Sequence, residues 1–219
     1  MLDAKASHHL SVVLRCRVGD ECFIFDGHGR EIKVVIAEIT KAHVVVRFLE
    51  EIVNESESAL HVHLAQAVGK GEKMDWVVQK ATELGVAAIT PLWTDYSEVK
   101  LSSERLAKKM QHWQNIMISA AEQCGRAVLP LLHTPQCLTD LIIPKHALLC
   151  SPRGGKLSSA LFSDSVQLLI GPEGGFSTHE EAWAIQQGAS MVELGKRVLR
   201  TETAAIAAIT AVQVLRGDL

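Results

Sequence analysis

Two segments near the carboxyl end of the sequence decide the fold: Gly171 to Phe176 (GPEGGF) and Leu194 to Ala204 (LGKRVLRTETA). Each follows a short apolar run that predicts a β-strand, Val166 to Ile170 and Ser190 to Leu194. Glycines in such loops let backbone amides and carbonyls approach a ligand closely. Because ligands of open parallel sheets bind beyond the carboxyl ends of the strands, the two segments predict a ligand site.

A third candidate loop, Ser151 to Gly155 (SPRGG), follows the predicted strand His146 to Cys150. Taken alone, a glycine turn of this kind is most often only a turn. None of the three is a known phosphate loop, because Lys196 is followed by Arg197 rather than Ser or Thr and no G-x-G-x-x-G occurs. Three such loops on neighbouring strand ends nevertheless favour one shared site.

Strand-like and helical runs alternate from Ala59 onward. Further strands are predicted at 60–68 and 86–92, and helices at 72–84, 104–124, 177–187 and 202–215. Gly85, Gly125 and Gly188 end three of these helices, and Ser177 with Glu180 forms a capping box. The alternation predicts an α/β domain with a mainly parallel sheet. The last helix is apolar on nearly every side, so we expect it to be buried or to lie in a subunit interface.

The amino-terminal part has a different pattern. Runs at 22–25, 32–39 and 43–49 alternate like short strands, and the Asp26-Gly27 turn suits a hairpin. This pattern predicts a small β-barrel or sandwich. Glu50 to Ser58 is polar and acidic and predicts a linker, so we place the two domains at 1–58 and 59–219.

Composition excludes several classes of protein. Of 219 residues, 47% are apolar and 21% charged, which is typical of a soluble globular chain. The apolar stretch Thr203 to Leu215 is shorter than the roughly 20 residues of a membrane-spanning helix, and no signal peptide is visible, so we expect a cytoplasmic protein without membrane contact. Five scattered cysteines form no C-x-x-C pair, and His61 and His63 lack a partner at ligand spacing, so we expect no metal.

The charge distribution does not by itself indicate a nucleic-acid binder. The net charge is −3, with 7 basic and 10 acidic side chains in residues 1–60 and 15 of each in residues 61–219. Any RNA-binding surface must therefore be a local patch.

The motifs together resemble the 16S rRNA (uracil-N3)-methyltransferase family of the SPOUT class, over nearly the whole chain. His8 to Glu21 and Asp26 to Glu31 resemble its PUA-like barrel, and Gln79 to Val86 and Ala120 to Arg126 join GPEGGF and LGKRVLRTETA in resembling its catalytic domain. The last two motifs carry most of the specificity. The resemblance implies a carboxyl-terminal trefoil-knotted α/β methyltransferase domain and an amino-terminal PUA-like β-barrel. Members usually carry a further strand-forming segment before the position of Leu2, so we expect the barrel to lack its first strand.

The resemblance also implies a set of ligand-binding residues. The knotted loops would hold S-adenosylmethionine, mostly through backbone contacts and apolar packing, at Leu149, Gly171, Pro172, Gly174, Gly175, Leu194, Gly195, Leu199 and Thr203. The family acts as a homodimer on 16S rRNA of the small ribosomal subunit. RNA would be gripped by Arg15, Arg17, Arg30, Lys73 and Arg126, although a solvated surface explains isolated basic residues equally well.

The implied reaction is attack by a uridine N3 on the cofactor methyl group. That nitrogen is largely protonated at neutral pH, so a base must accept its proton or the anion must be stabilised. Glu173 and Glu202 are the candidate bases, and Arg200 is the candidate for stabilising charge on the uracil oxygens. Alternatively, Arg200 and Glu202 simply pair at the start of the last helix. Two other functions stay open: a ribosome-assembly factor that binds RNA and cofactor without methyl transfer, and an unrelated α/β nucleotide-binding enzyme.

Overall fold

The computed structural model describes residues 1–40, 42–69, 71–97 and 102–219, which form two compact units. One unit comprises Met1–Ser56 with Arg126–Val128, and the other Glu57–Gly125 with Leu129–Leu219. Arg126–Val128 joins the first unit through pairing that the sequence did not predict: the Gly29 N–H donates to the Ala127 carbonyl, and Val128 bridges the turn at 27–28.

The amino-terminal unit is built on an antiparallel sheet of three strands in the order β1-β2-β3: β1 (Glu21–Phe25), β2 (Glu31–Ile39) and β3 (Val44–Ile52). These are the three strands that the alternating pattern predicts. Their described residues form an open sheet rather than a closed barrel. Helix α1 (Ala4–His8) and a π-helical turn at His9–Val13 precede the sheet and were not predicted. A small core contains Leu10, Ile36 and Val44.

The described residues of the second unit form a parallel sheet of seven strands with four α-helices. The strands are β4 (His61–Ala67), β5 (Ala88–Trp93), β6 (Leu131–Leu132), β7 (Gln136–Cys137), β8 (Ala147–Lys156), β9 (Ser165–Ile170) and β10 (Ser190–Glu193). Their order is β10-β8-β9-β4-β5-β6, with β7 also pairing with β5. The helices are α2 (Lys73–Glu83), α3 (Ser103–Cys124), α4 (Thr178–Gln186) and α5 (Thr201–Arg216). The predicted α/β class with a parallel sheet is confirmed; the trefoil knot stays a prediction.

Helix ends follow the local signals of the sequence. The capping box of α4 is present, since the Ser177 hydroxyl accepts from the Glu180 amide and the Glu180 carboxylate accepts from the Ser177 amide. Gly125 ends α3 with φ of +81°, a left-handed conformation that costs glycine little. On α3, which the sequence predicts at 104–124, Trp113 and Met117 are fully buried.

Both faces of the sheet are covered, because side chains alternate along each strand. Leu64 and Leu168 belong to the core that contains α2, α3 and α5 residues, whereas Ala65 and Leu169 belong to the core that contains α4 residues. Helix α5 buries one face and ends in exposed Val214 and Leu215, so its apolar character on nearly every side is only partly explained by burial within the chain. No helix of the described ranges is both long enough and apolar enough to cross a membrane.

The expectation that Ser151 to Gly155 is a loop is wrong. The segment continues β8, and the pairing with β10 jumps from Met191–Leu149 to Val192–Gly155, so residues 150–154 bulge outward. A Cβ at Gly154 would lie 2.3 Å from the Val192 carbonyl carbon, so only glycine fits there. The glycines and proline that predicted a turn instead permit this bulge and close approach.

Candidate functional site

A cavity of about 390 Å³ lies at the bulge of β8 and the carboxyl ends of β9 and β10. This volume is within the range of small-molecule sites, roughly 300–1,000 Å³. Its walls are residues 150–153, 170–176, 194–195 and 197–199, together with Glu181, Thr201 and Ala204. All three segments singled out from the sequence therefore meet at one cavity.

Most of the predicted cofactor-binding residues line this cavity: Gly171, Pro172, Gly174, Gly175, Leu194, Gly195 and Leu199. Leu149 does not; its side chain is fully buried in the core on the opposite face, and the next residue, Cys150, lines the cavity because strand side chains alternate. Thr203 is exposed and also absent from the lining, since each helical residue turns by about 100°. Thr201 and Ala204 are the residues of α5 that line the cavity instead.

The GPEGGF loop forms a tight turn that depends on its glycines. The Gly175 amide donates to the Pro172 carbonyl over 2.9 Å, and Gly175 has a φ of +73°. A Cβ at Gly171 would lie 3.0 Å from the Gly175 carbonyl carbon and 3.1 Å from the Phe176 nitrogen. The loop therefore presents backbone rather than side chains to a ligand.

A buried hydrogen-bond chain ties this loop to the first turn of α5. The Thr201 hydroxyl donates to the Gly171 carbonyl over 2.6 Å, and the Gln66 amide nitrogen donates to the Thr201 hydroxyl over 2.9 Å. Gln66 is only 1% exposed. The sequence patterns did not predict its role; the available signal was a lone amide within the apolar strand at 60–68.

Glu173 lines the cavity and is the one candidate base that does. Its Oε1 lies 2.5 Å from the Nζ of Lys73, and both side chains are about one-third exposed, at 38% and 32%. Lys73 was predicted to grip RNA, but here it is an ion-pair partner of the cavity wall. A Cβ at Gly69 would lie 3.3 Å from the same Glu173 oxygen, so glycine leaves room for the carboxylate.

Arg200 and Glu202 flank the cavity wall at Thr201 without lining it. Arg200 is the exposed N-cap residue of α5, and its side chain makes no capping bond. Glu202 lies in the first turn, and its Oε2 is buried without a hydrogen-bond partner among the described residues. No Arg200–Glu202 ion pair is present in the described ranges, which counts against the alternative that the two simply pair.

A second charged pair at the cavity was not predicted from the sequence. The buried Glu181 carboxylate accepts from the Ser151 hydroxyl over 3.0 Å and from Arg153 Nη2 over 2.5 Å. It thereby holds the β8 bulge against α4. All three residues line the cavity. The capping box had marked Glu180, and its neighbour Glu181 carried no separate signal.

The predicted RNA-binding arginines of the amino-terminal unit differ in their exposure and in their ion pairs. Arg15 and Arg17 are exposed, and Arg15 has a φ of +54°. Arg30 is exposed but its Nε lies 3.1 Å from Glu51 Oε1. Arg126 is only 3% exposed, so it differs from the exposed arginines, and its role in gripping RNA stays a prediction.

His63, one of the two neighbouring histidines of β4, makes hydrogen bonds within the sheet. His63 Nε2 lies 2.7 Å from the Thr90 hydroxyl, and its Nδ1 lies 3.1 Å from the Gln167 amide nitrogen. Burial, with a smaller contribution from His133, lowers the pKa of His63 to about 4. At neutral pH it is therefore an uncharged, partly buried strand residue. The described residues contain no group of three or more possible metal ligands.

The chemistry of the lining fits S-adenosylmethionine. Glycine backbone can bond a ribose and an adenine edge, and Ile170, Leu194 and Leu199 provide an apolar surface for the ring. Two acids and two arginines at the same cavity can meet the charges of a zwitterionic amino-acid end: Glu173, Glu181, Arg153 and Arg197. Fold and site together define an α/β enzyme with a nucleoside-cofactor pocket at the carboxyl ends of its strands.

Comparison with known proteins identifies the family. Residues 56–213 match the model of the RNA methyltransferase domain, and residues 2–49 match that of the RNA methyltransferase PUA domain. The chain belongs to this RNA methyltransferase family. The family resemblance drawn from the sequence, including its PUA-like amino-terminal domain, is confirmed.

Relatives and solved structures agree along the whole chain. A ribosomal RNA small subunit methyltransferase E from Buchnera aphidicola is 37% identical, with 100% of this chain and 91% of the relative covered. A protein from Legionella pneumophila in complex with the cofactor SAM superposes with a TM-score of 0.93 at 42% identity, covering 100% and 92% of the two chains. A Neisseria gonorrhoeae ribosomal RNA small subunit methyltransferase E bound to S-adenosyl methionine gives 0.91 at 35%, with the same coverage.

Proposed function

We propose that this protein transfers a methyl group from S-adenosylmethionine to N3 of a uridine in 16S rRNA of the small ribosomal subunit. One observation carries the proposal: GPEGGF and LGKRVL line the same cavity, in a chain whose full-length relatives are named small subunit rRNA methyltransferases. We further propose that it acts in the cytoplasm, where such subunits are assembled.

Different residues of the cavity would bind different parts of the cofactor. Backbone groups of Gly171, Gly174 and Gly195 would bind the polar edges of the nucleoside, and Leu194 and Leu199 would pack on its ring. Bound S-adenosylmethionine supplies an electrophilic methyl group on a sulfonium. The chain's own task is then to bring the uridine into place and to remove the N3 proton.

Glu202 is the favoured acceptor for that proton. Its Oε2 is buried and has no partner in the described part of the chain, whereas the Glu173 carboxylate is already engaged by Lys73. As the N3–H bond breaks, negative charge spreads over the uracil oxygens. Arg200, adjacent in the chain and at the N-cap of α5, would offset that charge.

RNA binding and assembly complete the proposal. Exposed Arg15 and Arg17 give the amino-terminal unit a small basic patch for phosphates. The protein acts as a homodimer in this proposal, and α5, whose end exposes 60% of Val214 and 41% of Leu215, is the surface that a second copy would cover.

The test is to incubate the protein with isotopically labelled S-adenosylmethionine and small ribosomal subunits that lack the modification, then to map the labelled nucleotide. We expect label at N3 of a single uridine. A Gly171→Ala variant is the matched control, because its Cβ would crowd the backbone of Gly175 and Phe176 at 3.0 to 3.1 Å and shift the loop that would bind the cofactor. Wild-type protein that binds both subunit and cofactor yet transfers no label would instead identify a ribosome-assembly factor.

A further inference from the structure

We infer that Gln66 is a positioning residue for methyl transfer, which acts by holding Thr201 against the GPEGGF loop. The inference rests on the proposed function, since Thr201 lies between the two groups proposed to act on the uridine. Gln66 itself is absent from the cavity lining. Its role is to set where the first turn of α5 begins.

The geometry fixes the direction of each hydrogen bond. The Gln66 amide nitrogen can only donate, and it does so to the Ala67 carbonyl and to the Thr201 hydroxyl, each over 2.9 Å. The Gly171 carbonyl can only accept, so the Thr201 hydroxyl donates its one hydrogen to that carbonyl over 2.6 Å. Thr201 therefore needs a donor, and Gln66 supplies it.

This chain joins three elements that are far apart in the sequence. Gln66 pairs with Ile170 in the sheet, next to Gly171. Thr201 is the first residue of α5 and is 5% exposed. Arg200 makes no side-chain capping bond, and the hydrogen bonds of the Thr201 hydroxyl to Gln66 and Gly171 anchor this helix start. Displacing it would move Arg200 and Glu202 relative to the cavity.

Burying the side-chain amide of Gln66 lowers the stability of the fold unless its N–H donor has a role. Gln66 is 1% exposed, and its Oε1 has no hydrogen-bond partner among the described residues. Burying an unpaired acceptor lowers stability, whereas an apolar side chain of similar size would pack without that penalty. An amide at this position is therefore better explained by positioning than by packing.

The sheet supplies a matched control residue. Gln167 on β9 is 3% exposed, its Oε1 is likewise unpartnered within the described ranges, and its amide nitrogen also has two contacts, with His63 Nδ1 and the Ile142 carbonyl. It lies near the amino-terminal end of β9, away from Gly171. Replacing it tests the loss of a buried glutamine without touching the Thr201 chain.

The experiment compares Gln66→Leu, Thr201→Val, the double variant and Gln167→Leu in the full chain. Single-turnover methyl transfer is measured at saturating cofactor and small subunits, with Tm as the check on folding. We expect Gln66→Leu and Thr201→Val each to slow transfer by about 10- to 100-fold. The double variant should be no slower than the slower single one, because both break the same chain. Thr201→Ser should recover most of the rate, and Gln167→Leu should keep the wild-type rate.

A Gln66→Leu variant with a wild-type rate, or losses that multiply in the double variant, would overturn the inference. Calorimetric titration with S-adenosylmethionine separates this outcome from failure of the proposed function. If wild-type protein transfers no methyl group, the proposed function fails, yet Gln66→Leu and Thr201→Val should still weaken cofactor binding by a similar factor, about fivefold or more, through Gly171. Unchanged affinity in both variants would sink the inference.

Discussion

The ammonium of Lys73 lies 2.5 Å from Oε1 of Glu173. This ion pair connects the first residue of α2 to the GPEGGF loop of the cavity wall, although the two residues are 100 positions apart in the sequence. Lys73 was predicted to bind RNA, and Glu173 was predicted as a candidate base. The ion pair changes what each can do: the lysine charge is already countered, and the carboxylate is already bonded.

Removing the lysine charge should therefore affect the cavity more than RNA binding. For Lys73→Met we expect weaker cofactor binding or slower transfer, with little change in the salt dependence of RNA affinity. Each lost phosphate contact lowers the slope of log affinity against log salt by about 0.7 to 0.9. Filter binding at several salt concentrations measures the slope. A loss of that size would restore Lys73 as a phosphate contact.

Replacing a candidate base should lower the rate of methyl transfer more at Glu202 than at Glu173. We expect Glu202→Gln to lower the single-turnover rate by about 100-fold or more, because general base catalysis commonly contributes that much. Glu173→Gln should lower it less, since that carboxylate is already engaged by Lys73. Cofactor titration of both variants controls for binding. The reverse order of effects would make Glu173 the proton acceptor.

Arg200→Ala should separate chemistry from cofactor binding. Arg200 lies outside the cavity lining, so we expect S-adenosylmethionine affinity within about threefold of wild type, while kcat falls roughly 100-fold. Arg105→Ala, at an exposed site on α3, is the control for loss of one arginine. Retained turnover would remove Arg200 from the reaction.

Charge reversal in the amino-terminal unit should weaken RNA binding without touching the cofactor pocket. We expect Arg15→Glu with Arg17→Glu to flatten the salt dependence by roughly 1 to 2 units of slope, because two phosphate contacts are lost. Lys145→Glu with Arg105→Glu, at two other exposed sites, controls for the same change in net charge. Unaltered affinity and slope would confine RNA binding to the methyltransferase unit.

His63 predicts an acid-sensitive core. Its pKa is lowered to about 4 by burial, so between about pH 6.5 and 4 the unfolded chain binds a proton that the folded chain does not. Stability should therefore fall as pH drops through this window, by up to about 3 kcal/mol from this group. Denaturant unfolding should show that His63→Gln loses this component, whereas His146→Gln, at an exposed site, keeps it. Equal pH dependence in all three proteins would contradict the assignment.

Much of the site follows from local sequence. The strands that end at Ile170 and Glu193, the capping box of α4 and the glycine that ends α3 depend on neighbouring residues, so periodicity and end signals predict them. The same holds for the GPEGGF turn, whose tight geometry is a property of adjacent glycines. Local sequence patterns therefore suffice to predict the α/β class and a ligand site at these strand ends, whereas the cofactor and the family come from the resemblance of the motifs to a known family.

The remaining features depend on which distant groups meet. Gln66 and Thr201 are separated by 135 residues, and Lys73 and Glu173 by 100, distances over which strand and helix periods carry no information about partners. Burial of Arg126 and the bulged strand at SPRGG likewise follow from neighbours supplied by other parts of the chain. The sequence by itself determined that a cofactor pocket forms at these strand ends, because that depends on local backbone geometry. Only the tertiary structure decided which side chains are held there and by what, because long-range packing selects the partners.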